Sequence, residues 1–101
     1  MVYVSSIGPI DGESQRLVRG GIKEHTRQCL KNLKAILEAN GTSMDKVVWA
    51  NWSLRDAADF DVFNEEWARW FPSDPPTRYG VKLGVDVPGL LVSIRMTAYT
   101  D

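Results

Sequence analysis

The chain has few of the residues that build disulfides or metal centres. Its 101 residues include one cysteine, Cys29, and one histidine, His25. A lone cysteine excludes an intramolecular disulfide, and one cysteine with one histidine leaves too few soft ligands for a zinc site. A free thiol is compatible with a reducing compartment. We therefore expect no metal, and we interpret the Cys29 thiol as buried filler and His25 as a helix-surface residue.

Long apolar runs are also missing. No stretch approaches the roughly 20 apolar residues that span a bilayer, and the N-terminus lacks the basic and then apolar pattern of a signal peptide. These absences predict no membrane partner and a cytoplasmic location.

Charge of one sign is not concentrated anywhere. The formal net charge is -1, and the 12 basic residues are scattered along the chain. Because binding to a phosphate backbone needs a concentrated positive footprint, nucleic acid is not expected as a main partner, and ribonuclease activity is disfavoured.

What is present is typical of one small globular domain. The 44% hydrophobic and 25% charged residues match an ordinary folded protein. A chain of this length cannot fill a second core, and it has no internal repeat or linker.

The first half of the chain predicts a strand, a turn region and a helix. Residues Val2–Ser6 are β-prone, and Gly8-Pro9 and Asp11-Gly12 follow as turns. Leu17-Val18 could form a short return strand. From Ile22 to Asn40, apolar residues recur at three- and four-residue steps, which predicts a helix with one buried stripe.

The second half predicts strands around a second helix. Val47–Leu54 alternates, with Val48, Ala50, Trp52 and Leu54 on one face and Val47, Trp49, Asn51 and Ser53 on the other. Asp59 is a candidate N-cap for a helix ending near Phe71. Further strands are expected over Arg78–Val85 and within 90–99, where the set beginning Leu90 and Val92 should lie under the helices.

These elements indicate an α+β domain with about five strands and both helices on one side of the sheet. The other side, including Trp49, Val47 and Leu91, would leave a mixed apolar surface in water. We expect a symmetric oligomer to cover it, with a solvated one-sided sheet as the alternative.

Several segments, in order, resemble the Rid/YjgF family of imine and enamine deaminases. They are Val4-Ser5-Ser6-Ile7-Gly8-Pro9-Ile10-Asp11, the helix with Gln28 and Asn32-Leu33-Lys34-Ala35-Ile36-Leu37-Glu38, the stretch from Asp59-Phe60 through Asn64 to Phe71, and Pro75-Pro76-Thr77-Arg78 with Val81. The resemblance implies a chorismate-mutase-like fold over residues 1–101, without the family's N-terminal strand; either the chain is a naturally short form with a more open site or the sequence is incomplete. It also implies a homotrimer with a central barrel and ligand clefts between subunits.

Arg78 carries the main functional expectation. The resemblance implies that this arginine binds the carboxylate of a small imine, enamine or 2-keto acid, which a planar guanidinium can hold through two parallel hydrogen bonds. The alternative is a surface salt bridge to Asp74 or Asp86.

Neighbouring site residues follow from the same resemblance. Asn64 matches a helix asparagine near the cleft, although a plain surface role is equally open. Tyr79 and Gly80 should line the pocket, and Gly80 stands where many relatives carry a cysteine.

The last strand departs from the family pattern. Many active relatives show Glu-Ile-Glu where this chain has Ser93-Ile94-Arg95. Ser93 replaces the glutamate that holds the attacking water, and a hydroxyl can bind water without supplying negative charge. Arg95 could add positive charge to the cleft or pair with a neighbouring subunit's carboxylate.

Three functions follow as hypotheses. The first is cofactor-free hydrolytic deamination of 2-imino or enamine acids to 2-keto acids, with Arg78 and Ser93 as the catalytic residues. The second is a non-catalytic trimer that binds small carboxylates. The third is ribonuclease activity, which the scattered basic residues and the net charge of -1 disfavour. Trp52, Trp67 and Trp70 are expected in the core rather than on a stacking platform.

Overall fold

The computed structural model describes residues 1–85 and 87–100, in which two α-helices and four strands form an α+β domain. In chain order the elements are β1 (Val2–Ile7), α1 (Ile22–Ala39), β2 (Val47–Leu54), α2 (Phe60–Trp70), β3 (Thr77–Lys82) and β4 (Val92–Ala98). Single turns of 3₁₀ helix at Met44–Lys46 and Ala57–Asp59 precede β2 and α2. Neither helix in these ranges has the length and apolar character needed to cross a membrane.

The strands form one sheet in the order β1-β4-β2-β3. Strand β4 is antiparallel to both β1 and β2, whereas β2 and β3 are parallel. A parallel pair needs a crossover, and α2 supplies it. Both helices cover the same face, which we call the helix face. The opposite face, which we call the open face, is uncovered in the single chain.

The core lies between the helices and the helix face. Alternate residues of β4 are buried as predicted, namely Val92, Ile94, Met96 and Ala98, and they meet the α1 stripe of Cys29, Leu30, Leu33 and Leu37. The placement of His25 on the helix surface is wrong. His25 is buried together with Ile22 and Cys29. The buried side of α1 therefore extends beyond the stripe of apolar residues to include the position of His25.

The predicted short return strand does not form. Leu17 makes a single bridge to Ile10, and the Val18 amide donates to the Pro9 carbonyl at 2.9 Å. The intervening chain turns through Gln15, whose φ of 59° lies in the left-handed region. A fifth strand is therefore absent from residues 1–85 and 87–100, and the segment packs as an ordered loop.

A β-bulge changes the start of β2. Val47 pairs with Ala98 but Trp49 pairs with Thr97, so Val48 is an extra residue between them. Val47 is therefore buried and Val48 exposed, the reverse of the simple alternation. From Trp49 onward the predicted faces hold, with Ala50 and Leu54 buried.

The second helix begins differently from the prediction. Asp59 precedes α2 but its side chain makes no capping hydrogen bond. The carboxylate of Asp56 instead accepts from the Ala58 amide at 3.0 Å and starts the preceding 3₁₀ turn. An acidic side chain still initiates the segment, three residues earlier than expected.

A buried carboxylate joins the two helices. Glu66 of α2 accepts from the Arg27 guanidinium at 3.3 Å and from the Trp70 indole at 3.0 Å. Burial raises the pKa of Glu66, but these two hydrogen bonds and the charge of Arg27 outweigh that effect, so the pKa lies below its ordinary value. The pair therefore stabilises the fold at neutral pH and loses that contribution as the pH falls through the carboxyl pKa.

We predict that Cys29 is unreactive in the folded protein. Its side chain is fully buried, and burial raises the pKa of the thiol to about 12. Because the thiolate is the nucleophile, an aromatic disulfide reagent near neutral pH should react only after urea unfolds the chain. The unfolded thiol ionises at about pH 8.5, so this burial also predicts stability that decreases as the pH rises above that value. Rapid stoichiometric reaction without unfolding would contradict the buried position.

Candidate functional site

Arg78 extends from β3 onto the helix face, beneath α2. It pairs with Ala50 of β2, which is fully buried on that face. The guanidinium carbon lies 5.1 Å from the centre of the Trp67 ring, 5.9 Å from Phe63 and 6.0 Å from Phe60. A delocalised planar cation is attracted to aromatic faces and is weakly hydrated, so it tolerates this environment better than an ammonium would.

Asn64 also contacts Arg78, and we call Asn64 together with the rings of Phe60, Phe63 and Trp67 the seat of Arg78. It follows Phe60 by one helical turn, so its amide projects toward the same part of the sheet. The Asn64 side-chain oxygen accepts a hydrogen bond from Nη2 of Arg78. The structure thus brings together two residues that the sequence singled out separately.

The other terminal nitrogen of Arg78 has no partner. Nη1 is buried and makes no hydrogen bond, and none of the carboxylates in residues 1–85 and 87–100 pairs with this arginine. The alternative ion pair with Asp74 is therefore not formed, and Asp86 lies outside the described residues. Burial lowers the pKa of Arg78, although the group remains a cation.

A buried donor without an acceptor is costly, and such groups need an explanation. The rings and the Asn64 amide orient the positive charge of Arg78, and its Nη1 still lacks a hydrogen-bond acceptor. An acceptor with two oxygens, such as a carboxylate, matches this geometry.

Gly80 lies next to Trp52 in a contact that only glycine permits. The two residues pair across β3 and β2, and the indole lies over the glycine. A Cβ at position 80 would come within 2.1 Å of two indole carbons. The same indole packs against Phe63 at 5.1 Å and Phe60 at 5.4 Å between ring centres, so it supports the rings that hold Arg78.

A hollow of about 460 Å³ lies beside this cluster, at the end of β2 and β3. Gly80, Trp52 and Phe60 form part of its wall, and Arg55, Asp56 and Lys82 also line it. Arg78 is not part of that lining, so the hollow and the arginine adjoin through shared aromatic residues. Sequence reasoning missed Trp52 and Phe60 as site residues because the glycine that accommodates the indole is apparent only from strand register.

The remaining predicted site residues lie on the open face. Tyr79 is half exposed and packs on Trp49, with ring centres 5.7 Å apart. Ser93 pairs with Ser53 between the buried residues Val92 and Ile94, so its side chain points away from the helices. Arg78 and Ser93 are therefore on opposite faces of the sheet, and one chain does not bring them together.

Metal ligation has little support in the described ranges. Across residues 1–85 and 87–100, no three side chains of histidine, cysteine, aspartate or glutamate are grouped closely enough to hold an ion.

The chain is similar to known proteins over nearly its whole length. The chain matches the family model described as Endoribonuclease L-PSP over residues 1–100. It is 36% identical over 100 residues to a RutC family protein of Pyrococcus horikoshii, covering 99% of this chain and 79% of that protein. It is 35% identical over 99 residues to the 3-aminoacrylate deaminase RutC of Acinetobacter baylyi, covering 98% and 79%. The crystal structure of RidA from an Antarctic Psychrobacter shares the fold with a TM-score of 0.89 and 35% identity, covering 96% of this chain and 78% of that one.

We predict that Gly80 and Trp52 are energetically coupled. Gly80→Ala should destabilise the protein by about 1–3 kcal/mol, because the new methyl group forces the indole out of its packing. In a Trp52→Val background most of that cost should disappear, since the clashing ring is gone. Urea unfolding of the four proteins measures the coupling.

Gly84→Ala is the matched control, because a Cβ there meets nothing within 4 Å. It should leave the free energy of unfolding nearly unchanged. An equal cost of Gly80→Ala in both backgrounds would show that the indole is not what requires glycine.

Proposed function

The chain belongs to the Endoribonuclease L-PSP family, that is, to the Rid/YjgF proteins, and from this membership we propose that it hydrolyses small 2-imino or enamine acids to 2-keto acids and ammonia. The observation that carries the proposal is Arg78, a desolvated guanidinium with an unpartnered donor and no carboxylate partner among the described residues. One relative, 35% identical, is named a 3-aminoacrylate deaminase. The substrate class of that protein, a small acid bearing a reactive nitrogen, fits a single carboxylate-binding arginine.

The proposed reaction needs the protein only to orient the substrate and to neutralise its carboxylate. An enamine acid tautomerises to the imine, water adds to the C=N carbon, and the resulting carbinolamine expels ammonia to leave the 2-keto acid. Arg78 would hold the carboxylate and so orient the carbon for attack. Its charge would also neutralise the carboxylate, which leaves less negative charge beside the C=N carbon and makes that carbon more open to attack by water.

Ser93 would hold the attacking water through its hydroxyl. Serine cannot act as a carboxylate base, so the contribution of this residue is to position water rather than to remove its proton. Tyr79, on the same face, would border the bound substrate, while Asn64 and Gly80 would shape the seat of Arg78 on the other face.

The proposed reaction needs a site built from more than one chain. Arg78 and Ser93 point to opposite faces of the sheet, so both can meet one substrate only if they come from different copies. The open face also carries uncovered apolar side chains, including Tyr79 at 50%, Val81 at 51% and Trp49 at 38% exposure. We therefore propose a homotrimer in which the open faces are covered and the substrate lies between subunits.

The deaminase proposal predicts imine turnover that depends on Arg78. Freshly generated 2-iminobutyrate or 2-iminopropionate should hydrolyse faster with the protein than in buffer. Arg78→Ala should lower kcat/KM by about 10- to 100-fold, the equivalent of one charged hydrogen-bonding contact. The measurement is 2-keto acid release in a coupled assay.

Two variants make the result interpretable. Arg78→Lys keeps the charge but loses the planar fork, and it should recover only part of the activity. Arg19→Ala removes an exposed arginine elsewhere and should leave activity unchanged. If the folded wild type does not exceed background yet binds 2-keto acids, the deaminase proposal fails and the protein is a carboxylate-binding trimer, as the loss of the family glutamate at Ser93 favours.

The trimer proposal predicts that Trp49 is needed for association. Trp49→Lys should convert a trimer to a monomer in sedimentation equilibrium, because a charge in the centre of the open face opposes its burial. Val62→Lys is the control, since Val62 is exposed to 39%, almost the same fraction as Trp49, but lies on α2. A monodisperse wild-type monomer would remove the intersubunit site.

A further inference from the structure

Three polar residues form a row across the open face. Asn51 of β2 pairs with Arg95 of β4 on one side and with Tyr79 of β3 on the other. Side chains of directly paired residues that share a face lie close together, roughly 5 Å apart at Cβ. The row Arg95–Asn51–Tyr79 therefore places a guanidinium, an amide and a phenol side by side.

The row contains groups without partners. The side-chain oxygen of Asn51 is buried and accepts no hydrogen bond within the described structure. Arg95 is exposed, and none of the carboxylates in residues 1–85 and 87–100 forms an ion pair with it. A buried acceptor thus lies beside a cation, and each needs a complementary group.

A polar hollow lies over these groups. It has a volume of about 270 Å³, and its wall includes Asn51, Tyr79 and Arg95 with the serines Ser6 and Ser53. Three hydroxyls, an amide and a guanidinium therefore surround a space large enough for a small ion. The walls contribute no carboxylate.

The charge of the open face indicates which kind of ligand the hollow would bind. Arg95 is the one charged side chain among the described strand residues of that face; the others are Tyr3, Ser5, Ser6, Trp49, Asn51, Ser53, Thr77, Tyr79, Val81, Ser93 and Thr97. A second copy whose described strand residues covered these would bring another arginine and no carboxylate from those strands. Because an unpaired buried charge is costly, an anion from solution is the fitting counter-charge.

We propose that the row Arg95–Asn51–Tyr79 binds a small oxyanion that carries a hydroxyl, of the class of hydrogen phosphate. The anionic oxygens accept from the Arg95 guanidinium and from the surrounding hydroxyls. The O–H of the ligand donates to the buried oxygen of Asn51. Sulfate offers the same charge and shape but has no proton to donate, so it satisfies only the first half of the site.

This site lies on the opposite face of the sheet from the seat of Arg78, although it shares Tyr79 with the proposed substrate site. Its binding does not require imine chemistry. Its effect on assembly rests on the proposed trimer, because covering the open face would bring several Arg95 side chains together. The anion would then favour the oligomer over the monomer.

The test is calorimetric titration of the whole protein with inorganic phosphate and, separately, with sulfate at matched ionic strength. Phosphate should bind at least several-fold more tightly than sulfate. Arg95→Gln should weaken phosphate binding by about 10- to 100-fold, as expected for the loss of a charged hydrogen-bonding contact. Arg19→Gln makes the same charge change on an exposed loop and should leave binding unchanged.

Asn51→Ala tests the other half of the site. It should remove the preference for phosphate over sulfate while sulfate binding persists, because the acceptor for the ligand hydroxyl is gone. Equal affinity for the two anions in the wild type would overturn the proposed ligand class. Phosphate binding that survives in Arg95→Gln would overturn the site and leave an adventitious ion only.

The outcome is independent of the deaminase assay. Failure of imine turnover with intact phosphate binding would remove the proposed reaction and keep this site. Turnover without phosphate binding would do the reverse.

Discussion

The one-sided covering of the sheet is the constraint on which the rest of this structure depends. Both helices pack on the helix face, so the strand residues divide between that covered face and the open face. The alternation of β4 satisfies this division without exception from Val92 to Ala98. Because chemistry-bearing residues occur on both faces, the same division separates Arg78 from Ser93 and makes any site that uses both depend on another copy of the chain.

On the helix face, packing and function use the same residues. The rings of Phe60, Phe63 and Trp67 form part of the junction between α2 and the sheet, and they also hold the guanidinium of Arg78. A half-buried arginine whose Nη1 is buried and unsatisfied opposes folding, and the aromatic contacts offset part of that cost. The fold tolerates this because the surrounding ring contacts are extensive, and it gains a cation that is oriented before any ligand arrives.

Three positions distinguish the two faces of the sheet. Gly80 gives room to the Trp52 indole, which extends the aromatic layer to the edge of the sheet. Ser93 and Arg95 lie on the open face, where they contribute a hydroxyl and a positive charge. Gly80 therefore lies beside the seat of Arg78, whereas Ser93 and Arg95 belong to the face that the proposed anion would bind.

The sequence by itself determined the α+β class, the extent of α1, the buried residues of β4 and, through its resemblance to the family, the importance of Arg78 and Asn64. These features follow from local periodicity or from a contiguous motif. Tertiary structure alone decided the bulge at Val48, the burial of His25 and the contact of Trp52 with Gly80. Each of these depends on which residues of distant segments meet, and the periodic pattern of one segment does not specify its individual partners on another.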